Sequence, residues 1–269
     1  MPEVNSGGWS IHYEELGEPG RPAILMVLGL SHRIAHWGTL ATRLAALAHV
    51  VVFDCRGIGE SERRDEPYTI DDEVADMAAV LDAVGLRSAA VYGRSRGGML
   101  AQHFAITHPQ RTSALILSGT SHRGPGAVGS TEAVDRAMEI RPDMTREEIF
   151  ATQNEAMAAP GWRQRDPEAF DYLMATDLEA PPRRFAVLRQ QESVANWSSS
   201  ERLPEIRCPA LVLCGQDDGM VPPENSRQIA ARIPNARLEL IRECGHLPML
   251  EKPAVVADLV SAFLGMDDR

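Results

Sequence analysis

Residues 91–100 read "VYGRSRGGML": an apolar run gives way to three glycines and two arginines set around one serine, Ser95. From Gly93 to Gly97 the pattern is G-x-S-x-G, behind a predicted strand and at the start of a predicted helix. In that context the chain makes a sharp strand-to-helix turn that lifts the serine hydroxyl above a sheet. Glycine is needed on both flanks because a Cβ there would crowd a strained backbone. The helix that follows aims backbone N–H groups at any negative charge forming nearby. Neither the phosphate-loop pattern G-x-x-x-x-G-K-[ST] nor the dinucleotide pattern G-x-G-x-x-G is present, so the arginines do not mark a nucleotide site.

Outward from the elbow, the first half of the chain alternates between two periods. Apolar runs at 23–28 ("AILMVL"), 49–54 ("HVVVFD"), 88–92 ("SAAVY") and 113–118 ("SALILS") are separated by stretches with helical spacing at 36–48, 71–85 and 97–108. Continuous apolar strands between helices predict a mostly parallel sheet with helices on both faces. The segment 9–16, "WSIHYEEL", alternates apolar and polar and predicts an antiparallel strand near the sheet edge. From 121 to 203 no strand-like run occurs. Helical segments near 131–140, 145–158, 166–176 and 181–195 are punctuated by Pro and Gly. After Pro204 the first rhythm returns, with strands at 209–215 and 236–241 and helices near 223–233 and 253–264. The expected organisation is an α/β core of residues 1–120 and 204–269, carrying a helical cap of residues 121–203 inserted before the last strands.

A formal net charge of -11 argues against nucleic acid as a partner, because its phosphates would be repelled. The first ten residues have neither a charged nor an apolar leader region, and no apolar run approaches the roughly 20 residues needed to span a bilayer. Cys55, Cys208, Cys214 and Cys244 form no C-x-x-C pair, which removes a zinc ribbon or a thioredoxin-like site and suits reduced thiols. A cytoplasmic protein acting on a small molecule, with no membrane partner, is the expectation. Oligomeric state is not legible.

A serine nucleophile needs a base, and the base needs an orienting carboxylate. His246 lies in "IRECGHLPMLEKP", between a predicted strand and the last helix, where a loop presents its imidazole at the C-terminal edge of the sheet. His12, His103 and His108 fall inside predicted elements. Of His32, His36, His49 and His122, only His32 is placed to line a pocket. The carboxylate is Asp217 or Asp218, both just past the strand "LVLCG", where open α/β sheets gather their ligands.

Five segments in this order resemble the α/β-hydrolase fold superfamily: "VLGL" (27–30), "FDCRGIGES" (53–61), "YGRSRGGMLAQHFAITHPQR" (92–111), "ALVLCGQDDGMVPPENS" (210–226) and "IRECGHLPMLEKP" (241–253). The resemblance covers nearly all of the chain. It implies a Ser95, Asp218, His246 triad, because the superfamily pattern G-x-x-D-x-x-V-P aligns Gly215 with Asp218. The alternative acid position in some relatives falls in "LSGTSH" (117–122), which holds no carboxylate. It implies an oxyanion hole built from the backbone amides of Leu30 and Arg96, although Leu28 stands where relatives have a histidine. Among subfamilies the chain is similar to small capped hydrolases such as 3-oxoadipate enol-lactonases and esterases. Ester or lactone cleavage without metal or cofactor is the implied activity. Carbon–carbon bond hydrolysis, perhydrolysis and a non-hydrolytic ligand-binding or cyclase role are the alternatives on the same scaffold.

Relatives usually hold an apolar residue at the position of Arg96. Its guanidinium is therefore expected either to recognise a substrate carboxylate under the cap or to pair internally with an acidic residue of the cap. Arg94 is expected to support the turn or a neighbouring loop. In the cap, Trp162, Trp197, Met138, Met144, Met157 and Met174 are candidates to line an apolar pocket, with core packing as the competing role.

Overall fold

The computed structural model describes residues 2–266. Eight strands form one sheet: β1 (Glu3–Ser6), β2 (Trp9–Leu16), β3 (Ala23–Val27), β4 (His49–Phe53), β5 (Ala89–Arg94), β6 (Thr112–Ser118), β7 (Ala210–Gly215) and β8 (Ala236–Ile241). Their order across the sheet is β1-β2-β4-β3-β5-β6-β7-β8. β1 pairs antiparallel with β2 and β2 antiparallel with β4, while every pair from β4 to β8 is parallel. The short polar β1, "EVNS", is absent from the sequence expectation because four residues with one apolar side chain carry no periodic signal.

Alternate residues of each central strand feed two cores, which is why the strands read as unbroken apolar runs. Leu25, Val27, Val51, Val91, Leu115 and Val212 pack on one face against α2 (Ile70–Ala83), α3 (Arg96–Thr107) and α9 (Pro223–Arg232). Ile24, Met26, Val50, Tyr92, Ile116 and Leu211 pack on the other against α1 (Thr39–Ala45) and α11 (Pro253–Leu264). Each fully buried aliphatic side chain is worth about 1.5–3 kcal/mol. The helix expected over 36–48 is instead a single 3-10 turn at Ile34–Trp37 followed by α1, broken at Gly38. Gly38 sits at φ 52°, and a Cβ there would come within 2.7 Å of Leu250.

Between β6 and β7 lie the cap helices α4 (Glu132–Met138), α5 (Arg146–Met157), α6 (Trp162–Arg165), α7 (Pro167–Glu179) and α8 (Arg184–Ser193). A one-turn helix, α10 (Pro248–Glu251), precedes α11. Thr131, Thr145 and Asp166 cap α4, α5 and α7 by accepting a backbone N–H with their side chains. Among the described residues no helix is long and apolar enough to cross a membrane.

Candidate active site

Ser95 is the residue at which β5 turns into α3, with φ 54° and ψ -122°. A non-glycine residue held there costs about 1–3 kcal/mol. The neighbours enforce it: Ser95 N donates to Ser118 O at 2.8 Å, and Ser95 O accepts from Gly98 N at 2.9 Å and Thr120 Oγ1 at 2.7 Å. Space fixes the flanking glycines, since a Cβ on Gly93 or Gly97 would lie 2.3 Å from Gly97 O or Val27 O respectively.

Two further loops reach the same spot. His246 Nε2 lies 3.1 Å from Ser95 Oγ, and His246 Nδ1 lies 2.7 Å from Asp218 Oδ2. Asp218 is itself held, because its Oδ1 accepts from Met220 N at 3.0 Å and Val221 N at 2.8 Å. With Nδ1–H donating to the carboxylate, Nε2 is left to accept the serine proton. Asp217 is exposed, and only its amide joins the loop, donating to Cys244 O. Burial moves the His246 pKa down, the Asp218 carboxylate pulls it up and the Arg94 cation pushes it down; the net is below the ordinary histidine value. The imidazole is therefore neutral, and able to act as a base, at neutral pH.

Glu251, absent from the sequence reading, shapes the histidine loop. Its buried carboxylate accepts from the amides of Gly245, Leu247 and Ala159, joining the loop to the cap. His246 N donates to Met157 O at 2.7 Å, a second tie to the end of α5. On the other side of Ser95, the amides of Leu30 and Arg96 have no hydrogen-bond partner among the described residues. They are free to face an oxyanion.

A cavity of about 770 Å³ opens over Ser95, within the usual range for small-molecule sites. Leu30, His32, Arg94 and His246 line its floor, and Met138, Ile149, Phe150, Met157 and Val187 of the cap line its walls. Of the sequence candidates, His32, Met138 and Met157 reach this cavity. Trp162 does not: it is buried against Phe170 in the core beneath the cap. Trp197 packs against the core on the opposite face of the sheet and donates its indole N–H to His103 Nδ1 at 3.3 Å. Met144 does not line the cavity either, and Met174 packs against the core.

Arg96 also departs from the substrate-facing expectation. Its guanidinium is buried and forms an ion pair with Glu73 of α2. It also donates to Ser193 Oγ at 2.7 Å and to Gln190 O at 2.7 Å, both on α8. The guanidinium pairs internally, but with an acid of the core and not with the cap carboxylate expected. Gln190 completes this clamp by accepting the Ser31 amide on Oε1 at 2.8 Å. Glu73 and Gln190 carry no sequence signal, because each matters only through a partner distant in the chain.

A family model described as "Alpha/beta hydrolase family" matches residues 24–259. The chain is 28% identical, over 100% of both chains, to a protein of Azorhizobium caulinodans named "Putative carbamate hydrolase RutD". It superposes with a TM-score of 0.84 on an enol-lactonase from Burkholderia xenovorans, 24% identical, covering 98% of this chain and 100% of that one. It superposes with a TM-score of 0.82 on Est816, described as an N-acyl homoserine lactone degrading enzyme, 27% identical, covering 97% and 100% of the two chains.

Proposed function

Because the chain belongs to the alpha/beta hydrolase family, we propose that it is a serine hydrolase that cleaves an ester or lactone of a small molecule through an acyl-enzyme. The observation that carries this reading is the unbroken relay from Ser95 Oγ to His246 Nε2 at 3.1 Å and from His246 Nδ1 to Asp218 Oδ2 at 2.7 Å. His246 takes the Ser95 proton as Oγ attacks the substrate carbonyl, and Asp218 holds the tautomer and stabilises the imidazolium. The amides of Leu30 and Arg96 receive the oxyanion, each such donor being worth about 2.7–4 kcal/mol. His246 returns the proton to the leaving oxygen and then activates water, which frees the acid and restores Ser95. The cap encloses the substrate and sets which acyl groups fit; that Est816 degrades a lactone and that the Azorhizobium protein is named for carbamate hydrolysis both agree with acyl chemistry here.

Labelling with a fluorophosphonate tests the claim directly. An adduct on Ser95, absent from Ser95→Ala, is the expected result, and a protein that stays unlabelled at Ser95 refutes the nucleophile. A panel of esters, lactones and vinylogous diketones then separates carbon–oxygen from carbon–carbon cleavage.

A further inference from the structure

Arg94 is a buried charged side chain of the site that neither the triad nor the oxyanion hole uses. It is 2% exposed. Unlike the buried Arg56 and Arg96, which pair with Asp76 and Glu73, it has no carboxylate partner among the described residues. Burial brings its pKa down to about 10, against the pull of Asp218, so it remains a cation at neutral pH. It spends its donors on two histidines. Nη2 donates to the His246 carbonyl at 2.7 Å, and Nη1 lies 3.0 Å from His32 Nδ1.

The second contact has a chemical consequence. A guanidinium has donors and no acceptor, so the imidazole nitrogen facing it must present a lone pair. A neutral His32 then carries its hydrogen on Nε2. Burial, with the neighbouring His36 ring and the Arg94 cation acting in the same direction, keeps His32 in that neutral form. The ring is also fixed in plane: it stacks on His36 at 4.2 Å and 2°, and His36 Nε2 lies 3.0 Å from Asp177 Oδ1 on α7. Asp177 Oδ2 in turn accepts from Asn154 Nδ2 at 2.7 Å. His32 Nε2 has no partner among the described residues and is not one of the sealed polar atoms, so it opens into the cavity that the ring lines with Ser95.

We propose that Arg94 is a positioning residue that holds His32 with its hydrogen on Nε2, where it donates to an acceptor oxygen that the substrate carries beside its scissile carbonyl. The inference rests on the serine-hydrolase reading and narrows its substrate class. Leu30 and His32 line the same cavity as Ser95, so the Nε2 donor lies in the pocket that receives the acyl group. Acyl groups with an alkoxy, hydroxy or oxo oxygen near the carbonyl satisfy Nε2–H. A plain hydrocarbon acyl chain leaves that donor unmatched in a desolvated pocket, which is costly.

Two measurements test it. Long-range 1H–15N correlation on the wild-type protein at neutral pH reads the tautomer without any substrate. Hydrogen on Nε2 with a bare Nδ1 is expected, and hydrogen on Nδ1 or on both nitrogens overturns the proposal. Kinetics then compare the p-nitrophenyl esters of methoxyacetic and butyric acid, which differ by one oxygen for one methylene, with each rate divided by that for alkaline hydrolysis. The ratio of kcat/KM, methoxyacetate over butyrate, should fall about tenfold in His32→Phe, the worth of one net hydrogen bond. It should return toward the wild-type value in His32→Gln, whose amide N–H reaches where Nε2 stood. An unchanged ratio in His32→Phe sinks the donor role even if the enzyme remains an esterase. Failure of fluorophosphonate to label wild-type Ser95 instead defeats the hydrolase reading, while the tautomer result still stands or falls by itself.

Discussion

The parallel sheet and the cap meet at one cavity but are held in place by a different balance of forces. In β4, β5 and β7 every residue is buried, and most of their side chains are apolar. The cap leaves Ile140 66%, Tyr172 44% and Leu188 45% exposed. Part of it packs into the core through Trp162, Phe170 and Leu173, and polar contacts tie it elsewhere: Arg96 to Glu73 and α8, Ser31 to Gln190, His36 to Asp177, and Glu251 to Ala159. Burial is non-directional and tolerates many sequences, whereas each polar tie depends on a particular pair of residues.

The largest expected effect falls on the sheet side. Ser95→Ala should lower kcat/KM by about 10^4-fold or more, since a triad acts as a unit and loses most of its function with any one member. The melting temperature should not fall, because the substitution removes a small hydroxyl from a turn fixed by backbone bonds. Residual turnover near the wild-type rate would mean that Ser95 is not the nucleophile and that the sheet edge is not where the chemistry resides.

This difference also decides what can be read from the sequence alone. The strands announce themselves by composition, so the parallel core, the elbow at Ser95 and the loops bearing Asp218 and His246 are all legible. Asp218 is separable from Asp217 only through the superfamily pattern. The structure gives the physical basis: one is buried against His246 and two amides, and the other is exposed. The roles of Arg94, Glu73, Gln190 and Glu251 are not legible, because each is defined by a partner far away in the chain. The tryptophans mislead for a related reason. An indole in an amphipathic segment reads the same whether it faces a ligand or a neighbouring helix, and Trp162 and Trp197 face neighbours.

Next in size is the clamp between the two regions. Glu73→Gln leaves the buried Arg96 cation without its counter-charge, and breaking such a pair from one side typically costs about 3–5 kcal/mol. Urea unfolding should show a loss of that order. A change under about 1 kcal/mol would mean that Ser193 Oγ and the Gln190 carbonyl suffice for Arg96, and that the cap does not depend on this ion pair.

A smaller effect separates the two arginines beside Ser95. The base must be unprotonated to work, so the acid limb of kcat/KM follows the His246 pKa, which lies below the ordinary value. The Arg94 cation disfavours a second positive charge on His246. Removing it in Arg94→Met therefore raises that pKa and moves the acid limb to higher pH. Because the limb's position is independent of its height, the shift is readable even if turnover falls. A limb that stays in place or moves to lower pH would show that Arg94 does not set the charge of His246.

The smallest expected effect probes the cap at its exposed rim. Tyr172 Oη donates to Ala35 O at 2.7 Å, joining α7 to the 3-10 turn before α1, but the side chain is nearly half exposed. Water replaces such a bond at little cost, and the Ala35 carbonyl can be hydrated when the hydroxyl is gone. Tyr172→Phe should therefore cost less than about 1 kcal/mol in urea unfolding. The comparison with Glu73→Gln is the informative quantity. Both residues bridge the sheet region and the cap, and they differ in whether the broken partner stays sealed from solvent. If the rim bond proves as costly as the buried pair, then the cap is held by the number of its bridges. If it is several-fold cheaper, burial of the orphaned charge is what gives the clamp its strength.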